Sequence, residues 1–135
     1  LYIDQECSVL DPGLTVFEQT ERFNASHLAE HELKSILNRC LFPYETWDKP
    51  CFCLSGGEKI RLLFCCLMIG NNAPDVFILD EPTNNLDIQS VEIITAAIKS
   101  YRGTVLLISH DHYFVKEIKI NRSIKLFDTG SVIKI

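Results

Sequence analysis

This sequence lacks a long hydrophobic run, an excess of positive charge and a recognisable export signal. Its longest apolar stretch, residues 62–69, is far shorter than the roughly 20 residues that a membrane span needs. The 13 Lys and Arg residues are outnumbered by 18 Asp and Glu residues, so the formal net charge is −5. We therefore expect no membrane insertion, a cytoplasmic location and no general basic surface for nucleic acid, although a local patch would not show in the total.

The cysteines form no pattern that requires disulfides or a metal ion. A chain of 135 residues with 47% hydrophobic residues can bury a core without covalent cross-links. Cys65 and Cys66 lie in an apolar run, where free cysteine packs as a small hydrophobe. The segment 51–53, Cys-Phe-Cys, has no second ligand pair at zinc spacing. Reduced thiols are expected at all six positions, which are Cys7, Cys40, Cys51, Cys53, Cys65 and Cys66.

The most informative stretch is residues 75–87. Its four consecutive apolar residues, 76–79, are typical of a buried parallel strand. Pro82 has no N–H for a strand ladder and disfavours helix just before it, so Asp80 and Glu81 should end the strand at the rim of the sheet. Open α/β sheets bind their ligands at this edge. One acid could hold Mg²⁺ while its neighbour orients a water; the alternative is a strand that ends in two solvated acids.

A second informative stretch begins at Ser55. Ser55 and Glu58 form a capping box, which contributes around 1 kcal/mol to starting a helix that runs to about Ile69. Gly56 and Gly57 in the first turn disfavour helix by roughly 1 kcal/mol each relative to Ala. They leave backbone N–H groups accessible at the positive end of the helix dipole, which suits a phosphate. The alternative is a glycine-bearing loop that only caps a buried helix.

A second apolar strand is predicted at residues 104–108, after Gly103 ends a helical stripe. It should deliver residues 109–111, Ser-His-Asp, to the same rim as Asp80 and Glu81. A lone His at a strand end is more often structural than catalytic. A His, two acids and a glycine-rich helix start together favour a functional site.

Together with the remaining local patterns, these strands predict an α/β fold with parallel strands. A small helical unit is expected in the first half, and a C-terminal hairpin over residues 123–135. A short strand is expected at residues 1–4, and Thr15 should cap a helix through about Arg22. A second helix is expected from Ser26 to about Cys40, because its apolar residues recur at helical spacing.

Within that second helix, residues 27–31 read His-Leu-Ala-Glu-His and match H-x-x-E-H, a zinc peptidase pattern. On a helix this spacing would place two imidazoles on one face with a Glu between them. No third zinc ligand can be identified downstream, so exposed polar residues are the preferred interpretation.

In order and spacing, these motifs resemble the ABC ATPases. The resemblance is carried by residues 54–58 (Leu-Ser-Gly-Gly-Glu), 80–83 (Asp-Glu-Pro-Thr), 84–87 (Asn-Asn-Leu-Asp) and 109–111 (Ser-His-Asp). The last two segments are most similar to the ABC-F branch, whose members are twin ATPases that act on ribosomes. His112 departs from the Arg expected in that branch.

The resemblance assigns catalytic and metal-binding roles. It implies that Asp80 is the Walker B acid that holds Mg²⁺ through water and that Glu81 is the general base. His110 would be the switch histidine on the γ-phosphate of ATP. Gln5 would be the Q-loop glutamine, which touches Mg²⁺ and the attacking water. These roles suit phosphoryl transfer, which depends mainly on positioning and charge stabilisation.

The resemblance also assigns a nucleotide-binding set that reaches a second domain. Ser55, Gly56 and Gly57 would form the signature loop, which caps the γ-phosphate of ATP held by the opposite nucleotide-binding domain. Glu58 completes this motif and is counted with it. Asp87 would be the D-loop acid at the seam between the two domains.

No phosphate loop of the form G-x-x-x-x-G-K-[ST] occurs among the six glycines. Residues 1–135 are therefore expected to be the C-terminal part of one nucleotide-binding domain, with residues 6–70 forming a helical and signature unit and residues 71–135 the Walker B and H-loop core. We expect this piece to be inactive by itself. In this fold the phosphate-loop strand lies beside strand 104–108, so an open edge and self-association are expected.

The resemblance implies ATP binding and hydrolysis with Mg²⁺ in an ABC-F protein that acts on ribosomes or tRNA, in translation or antibiotic resistance. The implied partner is a second nucleotide-binding domain, in the same chain or in a dimer. Two alternatives remain open, namely the ATPase subunit of an ABC transporter and a non-enzymatic half-domain that completes a partner's ATP site.

Overall fold

The computed structural model describes residues 1–3, 7–70, 74–84, 86–126 and 132–134. The helices in this part of the chain are α1 (Val16–Phe23), α2 (Glu30–Arg39), α3 (Gly56–Ile69), α4 (Ile88–Ser100) and α5 (His112–Ile118). The strands are β1 (Tyr2–Ile3), β2 (Val76–Asp80), β3 (Thr104–Ile108), β4 (Ile124–Leu126) and β5 (Val132–Lys134). Two 3-10 turns, Tyr44–Thr46 and Cys51–Cys53, lie between α2 and α3.

The first three strands form a parallel sheet in the order β1-β2-β3. Asp80, the last residue of β2, lies opposite Ile108, the last residue of β3, so the two strands end at the same level. The predicted α/β class with parallel strands is confirmed. Strands β4 and β5 pair antiparallel, as expected for the C-terminal hairpin. The predicted turn of that hairpin, residues 128–130, lies outside the described residues.

The two faces of the parallel sheet differ in burial. Ile3, Phe77 and Leu79 are buried on one face, where the Phe77 ring lies 6.5 Å from the Phe64 ring of α3 and 4.4 Å from the Tyr101 ring after α4. Alternate residues of a strand point to opposite faces. The other face carries the apolar residues that remain 43–50% exposed, which are Tyr2, Val76, Leu106 and Ile108.

Helices α1 and α3 begin where their capping boxes predict. The Thr15 hydroxyl accepts the Glu18 N–H at 3.2 Å, and the Glu18 carboxylate accepts the Thr15 N–H at 2.8 Å. Ser55 and Glu58 make the same reciprocal pair at the start of α3. Helix α3 is buried along most of its length and forms the centre of the core.

Helix α2 begins at Glu30, so its predicted start at Ser26 is wrong. The Asn24 side chain accepts the Leu28 N–H and donates to the Leu28 carbonyl, both at 2.9 Å, which holds the intervening residues in a turn. His27 adopts a left-handed conformation with a φ of 53°. Only the second histidine of the H-x-x-E-H pattern is therefore helical, and the pattern does not present two imidazoles on one helix face.

All six cysteines are free thiols, as expected, and all but Cys53 are buried. Burial raises the pKa of the Cys51 thiol to about 11. In the described ranges, none of the helices is both long and apolar enough to cross a membrane.

Candidate functional site at the carboxyl ends of β2 and β3

Glu81 leaves the end of β2 in an unusual backbone conformation. Its φ is 47°, a left-handed value that is uncommon for a residue with a side chain. The Glu81 N–H donates to the Ile108 carbonyl at 2.8 Å, which ties the turn to the end of β3. The next residue, Pro82, has no N–H to continue the ladder, so the strand ends here. The bend places the Glu81 side chain at the rim beside the residues that follow β3.

His110 contacts Glu81 directly. The imidazole Nδ1 of His110 lies 2.8 Å from Oε1 of Glu81. The hydrogen bond and charge of Glu81, with a smaller effect of Asp111, raise the pKa of His110 above its ordinary value. The second Glu81 oxygen, Oε2, is buried and has no hydrogen-bond partner in the described part of the chain. A buried acceptor without a donor is costly, so a donor brought to this oxygen by a ligand, or by a water that enters the site, would stabilise it.

Asp80 lies at the same rim and accepts a hydrogen bond from the Tyr2 hydroxyl at 3.2 Å. Among the described residues, no group of three or more His, Cys, Asp or Glu side chains is arranged to hold a metal. Mg²⁺ does not require such a group, because it is commonly held by one or two carboxylates together with nucleotide phosphates and water. Gln5, the other predicted ligand, lies outside the described residues.

The loop formed by Ser55, Gly56 and Gly57, here called the signature loop, starts α3. Ser55 Oγ accepts the Glu58 N–H at 3.2 Å, and Glu58 Oε2 accepts the Ser55 N–H at 2.7 Å. The first N–H groups of a helix have no acceptor within it, which applies to Gly56 and Gly57. A Cβ atom built on Gly56 would meet nothing within 4 Å. The packing of this chain therefore does not require glycine at position 56, and the loop is open to approach at Gly56. Gly57 is buried, so the expected accessibility of both glycines is not met at that position.

Asp87 caps α4 and is connected to α3. Its carboxylate accepts the Ser90 N–H at 2.8 Å and the Ser90 hydroxyl at 3.0 Å. These bonds, chiefly that from the Ser90 backbone, lower the pKa of Asp87, and Arg61 contributes. Arg61 Nη1 donates to Ser90 Oγ at 2.7 Å and lies 3.9 Å from Asp87 Oδ2. The guanidinium also stacks over the Phe42 ring, 5.0 Å from its centroid.

The predicted site residues thus form two groups. Glu81, His110 and Asp80 share one strand end, whereas the signature loop and Asp87 belong to the α3–α4 side. Within the described residues, no hydrogen bond or ion pair joins the signature loop to Glu81 or His110.

Sequence reasoning missed three residues that support these groups. They are Tyr2, which donates to Asp80, and the pair Arg61 and Ser90, which connects α3 to Asp87. A signal for Arg61 was present, because it is a charged residue in an otherwise apolar stretch of a buried helix. Nothing in the sequence indicated its partner, 29 positions away.

Comparison with known proteins agrees with these motifs. A family model described as ABC transporter matches residues 1–84. The ABC transporter F family member 5 of Arabidopsis thaliana is 43% identical over 128 residues, a match that covers 94% of this chain and 18% of that protein. The chain therefore spans about a fifth of the length of this relative.

Solved structures share the fold at low sequence identity. An archaeal ribosome recycling factor, solved with an archaeal ribosomal stalk protein, matches with a TM-score of 0.69 and 22% identity over 97% of this chain and 26% of its own. A dimeric ATP-binding cassette in a post-hydrolysis state, bound to ADP and Pi, matches with a TM-score of 0.63 and 22% identity over 86% of this chain and 54% of its own. These structures show that the chain has a P-loop NTPase fold of the ABC type. Because the family model matches more than half of the residues, and because the F-family relative is 43% identical over 94% of the chain, the chain belongs to the ABC transporter ATPase family as an ABC-F-like nucleotide-binding domain.

Proposed function

We propose that this chain supplies the hydrolytic carboxylate and the signature loop of an ATP-hydrolysing ABC-F protein. The observation that carries the proposal is the Glu81–His110 pair, in which one Glu81 oxygen is 2.8 Å from His110 and the other is buried without a partner. A general base needs an oxygen within hydrogen-bond reach of the water that it deprotonates. Oε2 of Glu81 is proposed to take this role once nucleotide binding brings a water to it, while His110 holds the carboxylate through Oε1.

The residues at the rim fit ATP and Mg²⁺. Asp80 supplies a carboxylate oxygen for Mg²⁺, and Gln5 is the second proposed ligand. Bound Mg²⁺ supplies charge that neutralises the nucleotide phosphates. His110 is proposed to face the γ-phosphate from its exposed ring side, while Nδ1 stays on Glu81. Asp80 and Glu81 are adjacent, so the rim provides one acid for the cation and one for the water.

The signature loop is proposed to serve a nucleotide held by a second domain. Support comes from the open space at Gly56 and from the two first-turn amides that α3 cannot satisfy. Ser55 contributes its hydroxyl, whose oxygen accepts the Glu58 N–H and whose proton stays available. Asp87, fixed by Ser90, is proposed to lie at the seam between the two domains. The chain would then act in a pair, and its sequence contains no phosphate loop of its own.

The proposed partner of the whole protein is the ribosome, in translation or antibiotic resistance. The relative named as an F-family member supports this proposal. The shared fold alone does not decide, because an archaeal ribosome recycling factor and a bacterial transporter cassette both match it. The six free thiols suit a reducing compartment such as the cytoplasm.

The test measures binding and turnover of Mg²⁺·ATP by the chain alone and by a mixture. The mixture contains a separately expressed domain that carries a phosphate loop, here called the partner domain. We expect turnover only in the mixture, and much tighter binding of ATP there than to the chain alone. Glu81→Gln should keep binding and lose turnover by roughly 10² to 10⁴, the usual contribution of a general base. Glu92→Gln, an exposed carboxylate on α4, is the matched control and should leave both unchanged.

Two outcomes would contradict the proposal. Steady turnover by the chain alone that disappears in Glu81→Gln would show that no partner domain is needed. A folded mixture that binds ATP but turns it over equally well with Glu81→Gln would remove Glu81 from the role of base.

A further inference from the structure

Lys49 is held beside the signature loop by its backbone and its side chain. Its carbonyl accepts the Val16 N–H at 3.0 Å and its own N–H donates to the Thr46 carbonyl at 3.1 Å, which anchors the residue against the start of α1. The ammonium group lies 3.3 Å and 3.4 Å from the two carboxylate oxygens of Glu58. Both side chains are only partly exposed, at 34% for Lys49 and 28% for Glu58. Lys49 is therefore a fixed cation rather than a freely moving surface lysine.

Glu58 has opposing effects on a phosphate-binding loop. Its carboxylate closes the capping box through the Ser55 N–H, which shapes the loop. Its negative charge also lies in the first turn of α3, where it opposes the positive helix end that would attract a phosphate. Partial burial raises the pKa of Glu58, but the bonds from Ser55 and the Lys49 ammonium outweigh this effect and hold the pKa below its ordinary value. Glu58 is thus charged whenever the loop would meet a nucleotide.

We propose that Lys49 is a positioning residue that neutralises Glu58, so that the signature loop keeps its capping box and still attracts the terminal phosphates of a nucleotide. The inference rests on the proposed function of the loop. Lys49 and Glu58 need not touch the nucleotide themselves. The two residues have different tasks. The Glu58 carboxylate orders Ser55, and Lys49 cancels the negative charge of that carboxylate.

The probe is inorganic triphosphate, added without metal to the chain alone while the amide signals of Gly56 and Gly57 are followed by NMR. Wild-type chain should show saturable shifts at these two amides. Lys49→Met should weaken the affinity by about three- to fivefold, a modest effect because the ion pair is partly exposed. Lys49→Arg should stay within about twofold of wild type, since it preserves the charge.

The double variant separates charge from structure. Glu58→Gln keeps an oxygen that can accept the Ser55 N–H but removes the charge. Combining it with Lys49→Met should restore affinity to within about twofold of wild type, because neither charge remains. The Lys49→Met defect should also shrink as salt rises from about 0.05 M to 0.5 M, since the screening length shortens. A defect in loop folding would respond to neither change.

Lys99→Met is the control, because Lys99 forms a somewhat more exposed ion pair, with Glu117, that involves no residue of the loop. It should bind triphosphate as wild type does. The inference is overturned if Lys49→Met matches this control, if the double variant binds no better than Lys49→Met, or if triphosphate leaves the Gly56 and Gly57 amides unshifted. The proposed function fails separately, through absence of Glu81-dependent turnover in the mixture with the partner domain.

Discussion

His110 Nδ1 lies 2.8 Å from Glu81 Oε1, although the two residues are 29 positions apart in the chain. The contact exists because β2 and β3 are parallel neighbours that end in register. It leaves the buried Oε2 of Glu81 without a partner among the described residues. The proposed general base is therefore oriented through one oxygen, and its other oxygen has no donor until one enters the site.

The first prediction concerns the ionisation of His110. Because Glu81 raises the pKa of His110, Glu81→Gln should lower it toward the ordinary value of about 6.5. Glu92→Gln should leave it where it is in wild type. An NMR titration of the His110 ring protons measures this directly. A His110 pKa that is the same in wild type and in Glu81→Gln would contradict the contact.

The same shift predicts how stability depends on pH. A group whose pKa is higher in the folded state stabilises that state fully below its unfolded pKa, which is about 6.5 for His, and loses the effect as pH rises through the folded pKa. The melting temperature of wild type should therefore exceed that of Glu81→Gln more at about pH 5.5 than above the folded pKa of His110. Thermal melts at several pH values test it, and a gap that widens as pH rises would be the contrary result.

A further prediction compares two glycines. Gly56→Ala should fold as well as wild type or gain up to about 1 kcal/mol, because the added methyl group meets nothing within 4 Å and Ala favours helix. It should nevertheless weaken ATP-dependent association with the partner domain by about tenfold or more, since the methyl group occupies the open space at the loop. Calorimetric melting and a binding titration measure the two effects.

Gly103→Ala is the contrasting variant. A Cβ at this position would lie 2.2 Å from the Tyr101 hydroxyl and 2.8 Å from the Asp75 carbonyl, so the backbone has to shift. We expect a loss of about 1 to 3 kcal/mol in the free energy of unfolding. Unchanged association by a folded Gly56→Ala chain would refute the role proposed for the signature loop.

Ser90→Ala should destabilise the chain by about 1 to 3 kcal/mol, because it removes the acceptor of a buried Arg61 N–H group. Ser100→Ala on the same helix removes an exposed hydroxyl and should change stability by less than about 0.5 kcal/mol. Urea unfolding of the three proteins provides the comparison. Equal stability of the two variants would mean that the Arg61–Ser90 bond contributes nothing measurable.

Self-association is expected from the uncovered face and edge of the sheet. Leu106 and Ile108 on β3 are 48% and 49% exposed, and among the described strands β3 is paired only with β2. Such edges and apolar faces pair with other chains. Size-exclusion chromatography over a dilution series should show association that Leu106→Lys abolishes. Tyr44→Lys, which replaces an exposed aromatic residue in a 3-10 turn, should leave it intact. A monomer at all concentrations would count against this expectation.

The sequence predicted best where the cause of a structure is local. Two helix starts are determined by hydrogen bonds between residues three positions apart, namely Thr15 with Glu18 and Ser55 with Glu58. The start of α2 was missed because the Asn24 side chain bonds the Leu28 backbone, a turn that competes with helix. The left-handed backbone of Glu81 was missed as well, because nothing in its neighbours requires it.

By itself, the sequence determined the α/β class, the ends of β2 and β3 and the order of the motifs, because hydrophobic runs, capping boxes and proline act over a few neighbouring residues. Only the tertiary structure decided which polar atoms of these motifs bond to each other. The register of β2 and β3 pairs one oxygen of Glu81 with His110 and buries the other without a partner among the described residues. The packing of α3 against α4 brings Arg61 to Ser90, and the path of the chain past α1 brings Lys49 to Glu58. These pairings depend on contacts between separate elements, which local sequence patterns do not encode.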